Sequence, residues 1–203
     1  MTTCPVSSYT SISGYNYTFT YSANTWTLMK YCPTGWGQFA RTAGQFCIKI
    51  FQKNGALAST DSTNGCVEVS GTVIGFFSDE ERIYAMCKLP PFLKSKSFHI
   101  FSSTSGNGKH PGKHYNGYRT CTSNSSSCGF LEGWTFSDNY LGSYTGYSFQ
   151  TGEPSWHTTS SGDLVRCLQM VASSTVSGVN GTIYAVSCGE ATADAYGCGY
   201  LLT

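Results

Sequence analysis

Cys32-Pro33-Thr34-Gly35-Trp36 opens the stretch that decides the fold, and Phe46-Cys47-Ile48-Lys49-Ile50-Phe51 closes it. The second run is β-branched and aromatic, the composition of a strand. It ends at Asn54-Gly55, a pair that marks a turn. Upstream, residues 1–31 are rich in Ser, Thr and Tyr without clear periodicity, and read as an N-terminal extension or an edge hairpin. The two cysteines of the stretch belong to a set of ten: Cys4, Cys32, Cys47, Cys66, Cys87, Cys121, Cys128, Cys167, Cys188 and Cys198. A reducing cytosol keeps thiols free, so so many in one chain point to oxidation or to metal. No Cys-x-x-Cys occurs, and no cysteine has a histidine at zinc-finger distance. The expectation is a set of disulfides in a secreted, extracellular protein. Spacing alone leaves about 945 pairings open (105 for eight cysteines, times nine).

Composition bounds the rest. At 203 residues the chain is long enough for one domain with an ordinary core. Aromatics at 15% and 23 glycines suit a β-rich, loop-heavy domain. Charged residues reach only 11%, against about a quarter in ordinary globular domains. Solubility then falls to Ser, Thr, Asn and glycans, with sequons at Asn16-Tyr17-Thr18, Asn124-Ser125-Ser126 and Asn180-Gly181-Thr182. No apolar h-region follows Met1, and no stretch nears the roughly 20 apolar residues that span a bilayer; the cysteines, not a leader, set the expected compartment. The net charge of +1 hides a polarity. Residues 88–119 hold Lys88, Lys94, Lys96, Lys109, Lys113 and Arg119 without one Asp or Glu, whereas residues 132–203 hold six acidic residues against Arg166 alone.

The one clear helix start follows Phe77. Ser78-Asp79-Glu80-Glu81 is a capping box, in which Ser78 accepts from first-turn amides and Glu81 reaches back. Ile83, Met86 and Cys87 then form an apolar stripe, and Pro90-Pro91 stops the helix. Residues 102–129 read as loop. Short strands follow over Leu164–Val171, over Thr182–Cys188 with Ile183 and Ala185 alternating against Tyr184 and Val186, and over Tyr196–Leu202. The sum is an α+β domain with little helix and several antiparallel strands.

These residues resemble the C-type lectin-like domain in its divergent invertebrate, roundworm-type form. Cys32-Pro33-Thr34-Gly35-Trp36 is similar to the opening of the long form. Cys66, then Gly71 to Phe77 and Ser78-Asp79-Glu80-Glu81-Arg82, resembles the first family cysteine leading into the first helix. Gly117-Tyr118-Arg119-Thr120-Cys121, Cys128 and Trp134-Thr135-Phe136-Ser137-Asp138 are similar to the middle of such domains, and Gly152-Glu153-Pro154-Ser155 to the Glu-Pro-Asn motif of the long loop. The resemblance covers residues 32–203, with 1–31 as the extension. It implies a C-type lectin-like fold with two helices, small antiparallel sheets and a long loop stapled by disulfides. It places the second helix between Cys87 and Gly117, where the chain is longer than the family pattern. It further implies Cys32–Cys47, Cys66–Cys198 and Cys167–Cys188, with Cys121–Cys128 as a local bridge. Cys4 and Cys87 are left over, to pair with each other or between chains.

Sugar-binding members hold calcium in the long loop, and calcium wants six to eight oxygens. Here Glu153 and Pro154 are kept, with the proline expected in the cis form. Ser155 stands for the Asn, Val165 stands where a Glu is expected, and of the Trp-Asn-Asp element, read at Val179-Asn180-Gly181, only Asn180 survives. Glu153 and Asn180 are thus the remaining calcium candidates, in a site short of two charges, and no cofactor is expected. Ligand-binding candidates are Glu153, Ser155, Trp156 and Asn180, with Trp156 either stacking on a sugar or covering the loop. A second group is Lys94, Lys96, Lys109, Lys113 and Arg119, set among Phe92, Phe98, Phe101, Tyr115 and Tyr118, a mixture suited to sulfated glycans or acidic lipid head groups, or else to a solvated loop.

His110 and His114 lie four apart across Pro111-Gly112-Lys113, which forbids the helix that would converge them on a metal. No Gly-x-Ser-x-Gly or His-Glu-x-x-His motif invites an enzymatic assignment. The expectation is a non-enzymatic extracellular recognition domain of surface or innate-defence type. It binds a glycan or a cell-surface protein without the usual calcium site, and neither nucleic acid nor a membrane span is expected. The alternatives are a calcium-dependent lectin and a disulfide-linked assembly protein built through Cys4 or Cys87.

Overall fold

The computed structural model describes residues 10–12, 15–22, 25–57, 59–88, 96–100, 118–119, 134–154, 165–172, 181–187 and 193–203. Residues 32–36 form a turn in which Trp36 N–H donates to Pro33 O at 3.0 Å. Gly35 takes φ +87°, a left-handed value that side chains other than glycine resist. A hairpin follows, β4 (Gly37–Arg41) and β5 (Gly44–Leu57). The Cys32–Cys47 disulfide joins the turn to β5. β5 runs straight through Asn54-Gly55, where the sequence signalled a turn. Its pairing with β12 (Ala193–Leu201), from Phe46↔Leu201 to Leu57↔Ala193, supplies the ladder bonds that override the local signal.

β12 is the centre of the molecule. In a seven-stranded sheet among the described residues it lies between β5 and β7 (Lys96–Ile100). β7 leads on to β10 (Val165–Ala172) and the edge strand β11 (Ile183–Ser187), while β6 (Thr72–Val73) pairs with β12 off this path. All these pairings are antiparallel except β7 with β12. Of the basic candidates, Lys96 and Arg119 have a described backbone, and both lie in strands. Lys96 begins an interior strand, and Arg119 lies in β8 (Tyr118–Arg119), inside the segment read as loop, where it pairs with β9 (Trp134–Thr135) beyond that segment. Cross-strand partners far along the chain stabilise these strands, which local composition does not reveal.

Ahead of the Cys32 turn, β1 (Thr10–Ile12), β2 (Tyr15–Ser22) and β3 (Thr25–Tyr31) make a separate antiparallel sheet. It touches the chain terminus where Lys30 Nζ donates to Thr203 O at 2.5 Å. Burial, with a hydrogen bond to Tyr15, also raises the pKa of the Tyr200 phenol near that end.

The described residues contain two helices, but not in the order the motifs suggest. α2 (Asp79–Lys88) is the helix whose start the sequence marks; α1 (Ser59–Glu68) precedes it and carries Cys66. The capped helix is therefore the second one, and none follows Cys87 among the described residues. α1 reads Ser-Thr-Asp-Ser-Thr-Asn-Gly-Cys-Val-Glu, with no apolar stripe and an interior glycine that costs about 1 kcal/mol. Tertiary contacts hold it. Ser62 and Cys66, one turn apart, are buried, and Cys66–Cys198 bolts the helix to β12 across 132 residues of chain. Closing a loop of that length is worth about 5 kcal/mol in the chain-entropy picture. Cys167 in β10 is likewise oxidised and buried beside this bridge. Its expected partner Cys188 lies outside the described residues, as do Cys121, Cys128 and Cys4.

α2 also differs in its buried face. Glu81 and Ala85 are fully buried, whereas Ile83 is 47% exposed and Cys87 is exposed, so of the stripe of Ile83, Met86 and Cys87 only Met86 packs against the core. The cause is ionic. Arg41, at the end of β4, donates from Nε and Nη2 to the two oxygens of Glu81, both at 2.8 Å, and from Nη1 to Asp138 Oδ2 at 2.8 Å. All three side chains are shut off from solvent. Burial alone would lower the pKa of Arg41, but the Glu81 hydrogen bond and the field of Asp138 more than offset it, so the guanidinium stays charged. Glu81 Oε2 also accepts from Phe77 N–H at 2.9 Å, one residue further back than a standard capping box, and Glu81 N–H donates to Ser78 Oγ at 3.4 Å. Above this group sits the main core: Phe46, Ile48, Ile74, Phe76, Tyr147, Leu168, Met170 and Ile183 among others.

Cys87 carries a free, exposed thiol, so the bridge to Cys4 that the sequence left open is not formed. Labelling the native protein with a thiol reagent without reductant is expected to modify Cys87, and none of Cys32, Cys47, Cys66, Cys167 and Cys198. Arg41→Leu is expected to lower stability by about 3–5 kcal/mol in urea titration, because it strands two buried carboxylates. The triple replacement of Arg41, Glu81 and Asp138 by apolar residues should cost less than that single change.

Candidate functional site

The long loop leaves the core at Tyr147-Ser148-Phe149, in a cluster of rings. Tyr147 lies 5.3 Å from Phe136, 6.3 Å from Phe76 and 6.1 Å from Phe149, centroid to centroid. Burial pushes the Tyr147 phenol well above its ordinary pKa, so it is neutral in the folded protein. The loop then passes beside β11: Ile183 N–H donates to Ser148 O at 2.7 Å and Gln150 N–H to Ile183 O at 2.9 Å. Gln150-Thr151-Gly152-Glu153 is a tight turn, closed by Glu153 N–H donating to Gln150 O at 2.9 Å. Gly152 occupies its third position with φ +85°, as a type II turn demands. The Glu153–Pro154 peptide is cis, and Pro154 is buried.

Glu153 is the one ligand candidate whose side chain is described. Its Oε2 accepts from Ala185 N–H at 2.9 Å. Beside it on β11, Tyr184 donates its phenol to Gln169 Oε1 of β10 at 2.6 Å. Burial, and after it the negative charge of Glu153, raises the pKa of that phenol, which keeps it a neutral donor. β11 thus brings Tyr184 and the Ala185 amide to Glu153. Ser155, Trp156 and Asn180 lie outside the described residues, as do Lys94, Lys109 and Lys113. Of Lys96 and Arg119 only the backbone is described, in β7 and β8, two strands that are not paired with each other.

No protein-family model matches the chain, and no curated protein matches it. Solved structures do. The human scavenger receptor C-type lectin carbohydrate-recognition domain is similar with a TM-score of 0.52 at 13% identity, over 85% of this chain and 100% of that one. The cow C-type carbohydrate-recognition domain of CD23, solved in the presence of GlcNAc2Man3 oligosaccharide, has a TM-score of 0.51 at 18% identity, over 85% of this chain and 98% of that one. The fold is that of a C-type lectin-like domain. A Ca2+-dependent type II antifreeze protein in its Ca2+-free form is similar too, with a TM-score of 0.51 at 15% identity over 83% and 99% of the two chains. Identities this low establish the fold alone.

The C-type lectin-like fold raises the question of calcium, and the described residues do not assemble a site for it. Among them no three His, Cys, Asp or Glu side chains gather. Among the groups described beside Glu153 are a phenol that already donates to Gln169 and a backbone N–H, which repels rather than ligates a cation. β10 opens with Val165, which has no side-chain oxygen to offer. Sequence reasoning missed Tyr184 and Ala185 as the neighbours of Glu153. The alternation of Ile183 and Ala185 against Tyr184 and Val186 pointed at the strand, but only the fold says what lies along its edge. No described helix is long and apolar enough to cross a membrane.

A Cβ at Gly152 would meet nothing within 4 Å, so Gly152→Ala tests the turn itself. Forcing a side chain into φ +85° is expected to cost about 1–2 kcal/mol. Thermal unfolding should register that cost, while the Cys32–Cys47 and Cys66–Cys198 bridges stay intact by mass mapping.

Proposed function

We propose that this chain is an extracellular recognition domain without catalytic activity, which binds a glycan or a protein partner without the calcium ion of sugar-binding members. The observation that carries the reading is the ground around Glu153, where Tyr184 and the Ala185 N–H stand in place of carboxylate ligands. Calcium binding depends on several negative oxygens converging, and one carboxylate engaged with an amide falls well short. The disulfides support an oxidising compartment. The cow CD23 domain, solved with an oligosaccharide, supports a glycan as the leading ligand class for this fold. The contacts proposed from sequence are Ser155, Trp156 and Asn180 near the loop, and Lys94, Lys96, Lys109, Lys113 and Arg119 as a basic group for acidic glycans.

A glycan array probed with calcium, with chelator and with added salt tests this reading. Binding is expected to survive chelator. If the basic group carries it, binding fades as salt shortens the Debye length to about 3 Å near 1 M. Binding abolished by chelator and restored by calcium would overturn the reading. Silence in every condition would move the ligand from glycan to protein.

A further inference from the structure

β11 is an edge strand, and its outer edge offers a row of backbone groups with odd-numbered residues facing out. The first of these are matched by the long loop's own backbone: Ile183 N–H to Ser148 O, and Gln150 N–H to Ile183 O, with Phe149 bridging Ile183 in parallel. Then the loop backbone turns away, at the Gln150–Glu153 turn with Gly152 at φ +85°. The next donor along the edge, the Ala185 N–H, receives the Glu153 carboxylate at 2.9 Å instead. The ladder is carried one step further by a side chain.

We propose that Glu153 is a positioning residue that anchors the long loop to β11 without metal, the carboxylate serving as a strand acceptor for Ala185 N–H. This deepens, and rests on, the calcium-free reading above. In sugar-binding members the ion ties loop to sheet by drawing oxygens together. Here a charge-assisted hydrogen bond takes over that tie, and the adjacent Tyr184–Gln169 bond links β11 to β10. The two chemistries differ in what they require of residue 153. An amide side chain presents a carbonyl oxygen that accepts from Ala185 nearly as well, but without the carboxylate's charge it ligates calcium more weakly.

Amide hydrogen exchange followed by NMR, on wild type, Glu153→Gln and Glu153→Ala, decides the matter, each with calcium and with chelator. Glu153→Ala is expected to speed exchange at Ala185 by at least roughly tenfold, the factor of one charge-assisted hydrogen bond. Ile48 in the core serves as the unchanged control. Glu153→Gln should retain Ala185 protection, and calcium should alter neither form. Ala185 exchange that is equal in wild type and Glu153→Ala overturns the anchor. So does calcium-induced protection in wild type that Glu153→Gln abolishes. The second comparison stands even if Glu153→Ala fails to fold. The array separates the two claims. Glycan binding lost to chelator while Ala185 ignores calcium sinks the recognition reading and leaves the anchor.

Discussion

A buried cation with two buried carboxylates is the constraint on which the rest of this domain depends. Arg41 reaches Glu81 with a two-bond fork and Asp138 with a third bond, and its Nη2 also donates to Gly75 O at 3.1 Å. Asp138 returns the favour to Gly75 N–H at 3.0 Å and accepts from Tyr140 N–H at 3.1 Å. Four separate pieces of chain are fixed to one another by groups that tolerate little displacement: the end of β4, the first turn of α2, the stretch after β6 and the segment after β9. The planar guanidinium dictates directions as well as distances. It lies 3.6 Å from the Phe46 ring centroid, so the same group that neutralises the carboxylates also roofs the core.

Two consequences reach the surface. Glu81 must point inward to meet Arg41, which rotates α2 and sends Ile83 and Cys87 outward. Asp138 fixes the start of the aromatic run in which Phe136 and Tyr147 pack, and Phe149 next to Tyr147 leads the loop onto the β11 edge. The loop base is therefore built on the ionic group through a chain of ring contacts. The C-type lectin-like fold can accept different loop chemistry because its frame, with Cys66–Cys198 and the ionic group at its centre, is set independently of the loop.

Local signals served well where a local cause decides. Ser78 marks the start of α2, and the strands of the C-terminal third fall within a few residues of their patterns. They failed where the partner is remote. α1 has the composition of a loop and is held by Cys66–Cys198. The stretch from Lys96 looks like a solvated basic segment and is a strand between β10 and β12. Asn54-Gly55 is a strong turn dipeptide, yet sits inside a 14-residue strand because β12 lies alongside. At the site, Glu153-Pro154 was legible as a loop motif, while the identity of its neighbours was not.

The sequence by itself determined the chemistry available: an oxidised framework, low charge, a long loop carrying a single Glu153, and no carboxylate at Val165. Those are properties of residue types, and they need no fold to be read. The tertiary structure alone decided how that chemistry is spent. It turned Glu81 from a helix cap into half of a buried ion pair, left Cys87 as a free exposed thiol, and set Glu153 against the Ala185 amide. Glu81 and Glu153 each meet a partner some thirty or more residues away, and the energy of a charge or a hydrogen bond depends on what stands within a few ångströms in space, not along the chain.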